Sequence, residues 1–352
     1  MFAIELLPAQ HGDCLWVEYG APTTPHRMLI DGGTPGTFGA LRARIEALPP
    51  GARHLELLVV THIDADHIGG ALELLEDEAL GVTFGDVWFN GWGHLPEPDG
   101  KRNARQGEAL SRALRRRDLP WNKAFDGAAV VLPEGPTLPA VTLPGAMTLT
   151  LFSPTAATLT RLRGAWDREL RRAGLTPGGA PAPAARTRTR DLGPPDVATL
   201  LQKPFTQDEA EANGSSIAFL AEHDGRRCLF TGDAHPVVLM EALERWFLTH
   251  PEPSLRLDAL KVPHHGSENN LNWEFLYRIE CPRYLVSTDG GVFHHPDPEA
   301  LARIARYGGP GAELCFNYRS EETAPWGHPS LAQRWGLRAR YPDGDGGLRV
   351  EL

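Results

Sequence analysis

One run of residues restricts this chain more than any other. An apolar segment, His54 to Val60, leads directly into Thr61-His62-Ile63-Asp64-Ala65-Asp66-His67-Ile68-Gly69-Gly70. Between His62 and His67 it offers two imidazoles and two carboxylates, borderline donors suited to zinc or manganese. The apolar segment reads as a buried strand that delivers Thr61 and His62 at its C-terminal end, where α/β proteins commonly build sites. A helix cannot aim positions 62, 64, 66 and 67 at one point. A loop leaving a strand can, with 62, 64 and 66 on one side, 67 brought round, and Gly69-Gly70 allowing a tight turn into the next helix. An isolated Asp-x-Asp is more often a solvated loop with Asp66 capping a helix, but the full string points to one compact site.

The surroundings fit that reading. Phe2 to Leu7, Cys14 to Tyr19 and Arg27 to Ile30 alternate like strands of an antiparallel meander ending at Asp31-Gly32-Gly33. A helix is expected over Thr37 to Leu48, stopped by Pro49-Pro50-Gly51, and Val82 to Phe89 reads as another strand. Ala104 to Arg117 has the periodicity of an amphipathic helix. Strands recur at Val141 to Leu143, Met147 to Phe152, Ser216 to Glu222, Arg227 to Phe230, Ala259 to Val262 and Arg283 to Ser287. Two halves of strands followed by helices imply an α/β (α+β) fold, a four-layer αββα sandwich. One main domain is expected over residues 1–300. It carries an Arg-, Pro- and Gly-rich insertion at about 155–212, and 301–352 form a C-terminal flank packed on it.

With 352 residues the chain is long enough for a sizeable core. The absence of a long apolar run and of a basic, apolar leader leads us to expect a cytoplasmic protein without membrane association. Cys14, Cys228, Cys281 and Cys315 match no disulfide framework or CxxC pair and are expected to be reduced core residues. A formal net charge of -10 argues weakly against indiscriminate nucleic-acid binding, yet arginines concentrate at Arg102 to Arg117 and Arg161 to Arg190. They could approach a phosphodiester or simply be solvated faces. Trp92, Trp121 and Trp166 could stack bases or fill core.

Two later motifs complete a pattern: Leu229-Phe230-Thr231-Gly232-Asp233 and Leu260-Lys261-Val262-Pro263-His264-His265-Gly266-Ser267, each an apolar run ending in potential ligands. In this order the motifs resemble the metallo-β-lactamase superfamily over about residues 2 to 300. More particularly, with Gly12-Asp13, Leu29 to Gly33 and His295-Pro296, the chain resembles the metallo-hydrolase domain of DNA-uptake competence proteins of the ComEC type. The resemblance implies the metallo-β-lactamase sandwich and one or two divalent ions, Zn2+ or Mn2+ with Mg2+ possible. It places His62 and Asp64 at one ion and Asp66 and His67 at the other, with Asp233 bridging and His264 or His265 completing the second. By register His265 is the favoured ligand, leaving His264 for substrate. The superfamily usually supplies another histidine where this chain reads Glu211-Ala212-Asn213-Gly214-Ser215-Ser216 and has none; the competence-type relatives also tend to have Asn and Ser there, which leaves the first ion with fewer protein ligands.

The chemistry implied is hydrolysis by a metal-activated hydroxide. Asp66 or Asp233 would orient the nucleophile or take its proton, and His295 would donate to a leaving group or hold a phosphate oxygen. Asp31 is a candidate to hold a ligand imidazole. Asn90, Trp92 and His94 could rim the site, and His223 and His235 have weaker claims. Expected substrates are a nucleic acid or nucleotide. Alternatives are ester, thioester or lactone hydrolysis, or a binding or regulatory module that has lost turnover. Protein partners are not indicated.

Overall fold

The first sheet shows why this sequence makes a sandwich. The computed structural model describes residues 1–96, 109–172, 193–344 and 346–352. Its sheet-building strands, in chain order, are β1 (Phe2–Leu6), β2 (Leu15–Tyr19), β3 (His26–Ile30), β4 (Leu57–Val59), β5 (Val87–Trp88), β6 (Ala140–Leu143) and β7 (Met147–Ser153). They continue with β8 (Ala218–His223), β9 (Arg226–Phe230), β10 (Ala259–Lys261), β11 (Arg283–Val286), β12 (Glu313–Phe316), β13 (Arg338–Arg340) and β14 (Leu348–Glu351). Along β2 to β4 the side chains alternate. Val17, Met28, Ile30, Leu57 and Val59 enter one core, while Trp16, Leu29, Leu58 and Val60 enter another. The first core meets Leu149, Leu151, Phe219 and Phe230 of a second sheet. The other meets Leu41 and Ile45 of α1 (Phe38–Glu46), Ile68 and Leu75 of α2 (Ala65–Glu76) and Leu110 and Leu114 of α3 (Ala109–Arg116). Leu159, Leu162 and Trp166 of α4 (Ala156–Arg172) join that layer. On the far side of the second sheet, α6 (Pro236–Thr249) contributes Leu239 and Trp246 and α8 (Pro298–Tyr307) contributes Leu301; α5 (Val197–Leu200) precedes α6 in the chain and α7 (Trp273–Tyr277) lies between α6 and α8. The result is the αββα architecture expected.

The first sheet runs β14-β1-β2-β3-β4-β5 and the second β13-β12-β11-β10-β9-β8-β7-β6. In each, antiparallel pairing gives way to parallel pairing: β3, β4 and β5 are parallel, as are β9 to β13. The C-terminal ends of parallel strands from both sheets therefore point the same way, and polar groups following them meet at one rim. The register matters because a one-residue slip of β3, now paired Val17↔Met28 and Leu15↔Ile30, would exchange its two faces.

Several expectations are refined. The segment His54 to Val60 is two pieces, because His54–Leu55 pairs with Thr83–Phe84 in a separate small sheet before β4 begins. Residues 301–352 supply β12 and β13 to the second sheet and β14 to the first, where β14 pairs antiparallel with β1. All four cysteines are free and buried. Residues 97–108 and 173–192, which include Arg102 and Arg186 to Arg190 and most of the expected Gly/Pro-rich loop, lie outside the described residues. Among the described residues, no helix is long and apolar enough to cross a membrane.

Candidate metal centre

The rim is built from the segments that follow β3, β4, β9, β10 and β11. Asp31 follows β3 in a left-handed conformation (φ 57°) and takes three donors: Thr61 N at 2.7 Å, Thr61 Oγ1 at 2.8 Å and His67 Nδ1 at 2.8 Å. Thr61 has spent its hydroxyl proton on Asp31, so its oxygen accepts from His62 Nδ1 at 3.0 Å. One buried carboxylate thus anchors both histidines of this half. The expected loop is shorter than the sequence suggests. Asp64 is the helix N-cap, its carbonyl accepting from His67 N and Ile68 N at 3.0 Å, so Asp66 and His67 belong to the first turn of α2. That turn lies against the β3 exit so closely that a Cβ on Gly32 would come 1.9 Å from Ala71 N and one on Gly70 2.1 Å from Gly32 O. Gly32 and Gly70 are two sides of one contact, while Gly69 lies against Pro35 and Gly33 against Thr37 and Ala9.

Gly232, at φ 50°, turns the chain after β9 and presents Asp233, whose backbone N–H donates to Ser216 Oγ at 3.1 Å. After β10, His264 and His265 both have positive φ, 47° and 54°, and this double left-handed turn sends adjacent imidazoles to different partners. His265 Nδ1 donates to Ser287 O at 2.8 Å, and His264 Nδ1 donates to Asn270 Oδ1 at 2.8 Å. A carbonyl oxygen can only accept, so in both rings Nδ1 carries a proton and Nε2 is the nitrogen left to meet an ion.

The consequence is a convergence. Asp233 Oδ2 lies 3.8 Å from His62 Nε2, 3.4 Å from His67 Nε2, 3.7 Å from His264 Nε2 and 3.8 Å from His265 Nε2. Asp64 Oδ2 is 3.5 Å from His62 Nε2, and Asp66 Oδ2 is 3.4 Å from His265 Nε2 and 3.8 Å from His67 Nε2. Four imidazole nitrogens and three carboxylates cannot share this space as bare acceptors; His67 Nε2 and His265 Nε2 are only 3.2 Å apart. His62 Nε2 and Asp233 Oδ1 are buried with no hydrogen-bond partner. These donors fit a divalent cation. His62, His67 and Asp233 form one compact ligand set and Asp66, His67 and His265 another.

The charge balance agrees. Burial alone would lower the histidine pKa values, but the carboxylates outweigh it. Asp233 and Asp31 hold His67 well above its ordinary value, Asp13 and Asp233 push His265 up to about 10, and Asp233 and Asp208 push His264 up to about 9. Burial would likewise raise Asp233, yet His67, His264 and His265 hold it well below the usual carboxylate range. A metal bound here would replace those protons.

His265 therefore sits with Asp66 and His67, while His264 approaches Asp233 from the side of Asp208 and Asn213. His295 lies beside His264 with ring centroids 5.3 Å apart, and its Nδ1 is 3.4 Å from Asp297 Oδ2. Phe293, 55% exposed, stacks on His295 at the mouth and meets His11 edge-on. His294 turns instead towards Glu322 (3.4 Å). Other candidates are engaged elsewhere. The Asn90 amide bridges the backbone of Val130, Trp92 packs on Trp166 and under Arg163, and His94 meets Trp121 edge-on. His223 packs on Tyr19, and His235 Nε2 donates to Ala210 O. Trp121 donates to Phe89 O, Arg115 lies over it, Arg117 binds Leu75 O and Arg168 pairs with Glu211.

Sequence reasoning missed three supports. Lys261 is fully buried and pairs with Asp13 (2.7 Å), whose other oxygen lies 3.3 Å from His265 Nδ1. Burial would raise Asp13, but Lys261 and His265 bring it down to about 2. Asp208 and Asn270 brace His264. A lysine inside the apolar β10 pattern was the legible signal for the first; Asp208, in a run of acidic residues, gave none.

Residues 10–145 match the family model of the Metallo-beta-lactamase superfamily, and the sandwich and the His62–His67 segment resemble that superfamily. The chain is 28% identical over 105 residues to ComE operon protein 3 of Bacillus subtilis (strain 168), a match covering 30% of this chain and 13% of that protein. It thus spans about an eighth of that relative's length. Among solved structures it is similar to Zn(2+)-bound PqqB from Methylobacterium extorquens, with 13% identity, TM-score 0.45 and full coverage of both chains. It is also similar to CmlA, a diiron beta-hydroxylase from Streptomyces venezuelae, with 12% identity, TM-score 0.40, and coverage of all of this chain and 54% of that one.

Proposed function

We propose that the protein is a metal-dependent phosphodiesterase acting on a nucleic acid or nucleotide. The observation that carries this reading is the mixed nitrogen and oxygen centre, in which Asp64, Asp66 and Asp233 stand among four Nε2 atoms whose Nδ1 atoms are tied back. Such a mixed set accepts Mn2+ or Mg2+ more readily than an all-histidine site, and suits a substrate that brings phosphate oxygens. The similarity to ComE operon protein 3 supports the same reading. A divalent ion held by these side chains would lower the pKa of water towards neutrality and so supply hydroxide at ordinary pH. Asp66 or Asp233 would orient the attacking water or take its proton. His295, beside His264 at the mouth, donates to the departing oxygen.

The test is hydrolysis of single-stranded DNA, duplex DNA, bis-p-nitrophenyl phosphate and a lactone with Mn2+, Mg2+ or Zn2+. Turnover of the phosphodiesters, reduced at least about 1000-fold in Asp233→Asn, is expected. Turnover of the lactone alone would replace this reading with carbon-ester hydrolysis, and metal binding without turnover of any substrate would make the protein a binding module.

A further inference from the structure

We propose that Asp208 is a positioning residue that sets the tautomer of His264 and so makes Nε2 of that ring a metal ligand. The inference rests on reading His264 as part of the centre. Asp208 Oδ2 accepts from Asn213 Nδ2 at 2.7 Å and from Asn270 Nδ2 at 3.0 Å, while its Oδ1 accepts from Ala210 N at 2.9 Å. A carboxylate offers no proton, so both amides must turn their NH2 groups to it. For Asn213 this leaves Oδ1 buried and without a hydrogen-bond partner, a cost that shows the carboxylate, and not the amide, dictates the orientation. For Asn270 it points Oδ1 at His264 Nδ1, 2.8 Å away, while Nδ2 also donates to Asp233 O at 3.2 Å.

Nδ1 of His264 must then keep its proton, so Nε2, 3.7 Å from Asp233 Oδ2, is the nitrogen that an ion can take. Were the Asn270 amide reversed, its NH2 would donate to Nδ1, the proton would sit on Nε2, and the ring could not ligate. Asn213 stands where the superfamily pattern leads one to expect a histidine. In this chain that position closes a clamp on His264, so a ligand from β10 is held where another would have come from β8.

Metal-free protein is titrated with Mn2+ and with Zn2+ by calorimetry, using the native chain, D208N, H264A and D208N/H264A. D208N is expected to weaken binding about 10- to 100-fold, and the double variant to bind no more weakly than H264A alone. In native Zn2+-loaded protein, where no substitution can disturb folding, 15N NMR is expected to find His264 protonated on Nδ1 and metal-bound through Nε2. Native-like affinity in D208N with a weakened H264A, additive losses in the double variant, or the opposite tautomer would overturn the role of Asp208. Native-like affinity in H264A would remove the premise as well, and so separates failure of the ligand reading from failure of this one.

Discussion

The two sheets hold their histidines by different means. In the first half, a single carboxylate, Asp31, receives both the hydroxyl that seats His62 and the ring of His67, and the second of these rings is fixed by the start of a helix. In the second half, His264 and His265 are neighbours in the chain, splayed by two left-handed residues and secured by separate partners, Asn270 and Ser287. In the first pair neither histidine has a positive φ, and the left-handed residue there is their anchor, Asp31. The second pair occupies a conformation that non-glycine residues adopt at a cost, so it depends on surrounding tertiary contacts to stay in place.

That difference can be broken by experiment. The largest effect is expected under the second pair: Lys261→Met leaves Asp13 as an uncompensated buried charge beside His265, at a cost of about 3–5 kcal/mol. Urea unfolding measures it, and a loss below about 1 kcal/mol would show that the turn stands without that ion pair. Next is Asp31→Asn, which puts an NH2 among donors and loosens both histidines of the first half. Metal affinity is expected to fall about 10- to 100-fold, or about 1.4–2.7 kcal/mol. Calorimetry reads it, and an unchanged affinity would mean that the helix alone positions His67.

The smallest effect lies away from both pairs. Burial pulls His94 down from 6.5 to about 4. The unfolded chain therefore takes up this proton first. The contribution is absent above about pH 6.5 and costs stability progressively as pH falls from there towards 4. His94→Gln is expected to flatten that part of the stability curve relative to the native chain, and identical curves would deny His94 its burial.

Much of this arrangement was legible because it is written locally. A β-strand alternates its faces every residue, so β1 to β4 announced their two cores, and a dense ligand string after an apolar run announced the rim. What failed to show depended on partners distant in sequence. Nothing in His54 to Val60 signals a break at Glu56, whose side chain is drawn off to His26 at 2.7 Å and whose N–H donates to Arg27 O. The helical setting of Asp66 and His67 was obscured because their ligand spacing reads equally well as a loop. β12 and the crossing of β14 back to the first sheet depend on pairing with strands far away in the chain. Asp208 is 62 residues from Asn270, and only folding turns an apparently solvated acid into a brace.

Asp233 leaves the second sheet, yet His62 and His67, which flank it, leave the first. An ion shared by these groups is thus a clasp across the seam of the sandwich. By mass action its binding energy becomes resistance of the two layers to separation, since a chain with its sheets parted has no such set of donors to offer. Mechanical integrity and catalytic competence would then be lost together when the ion leaves.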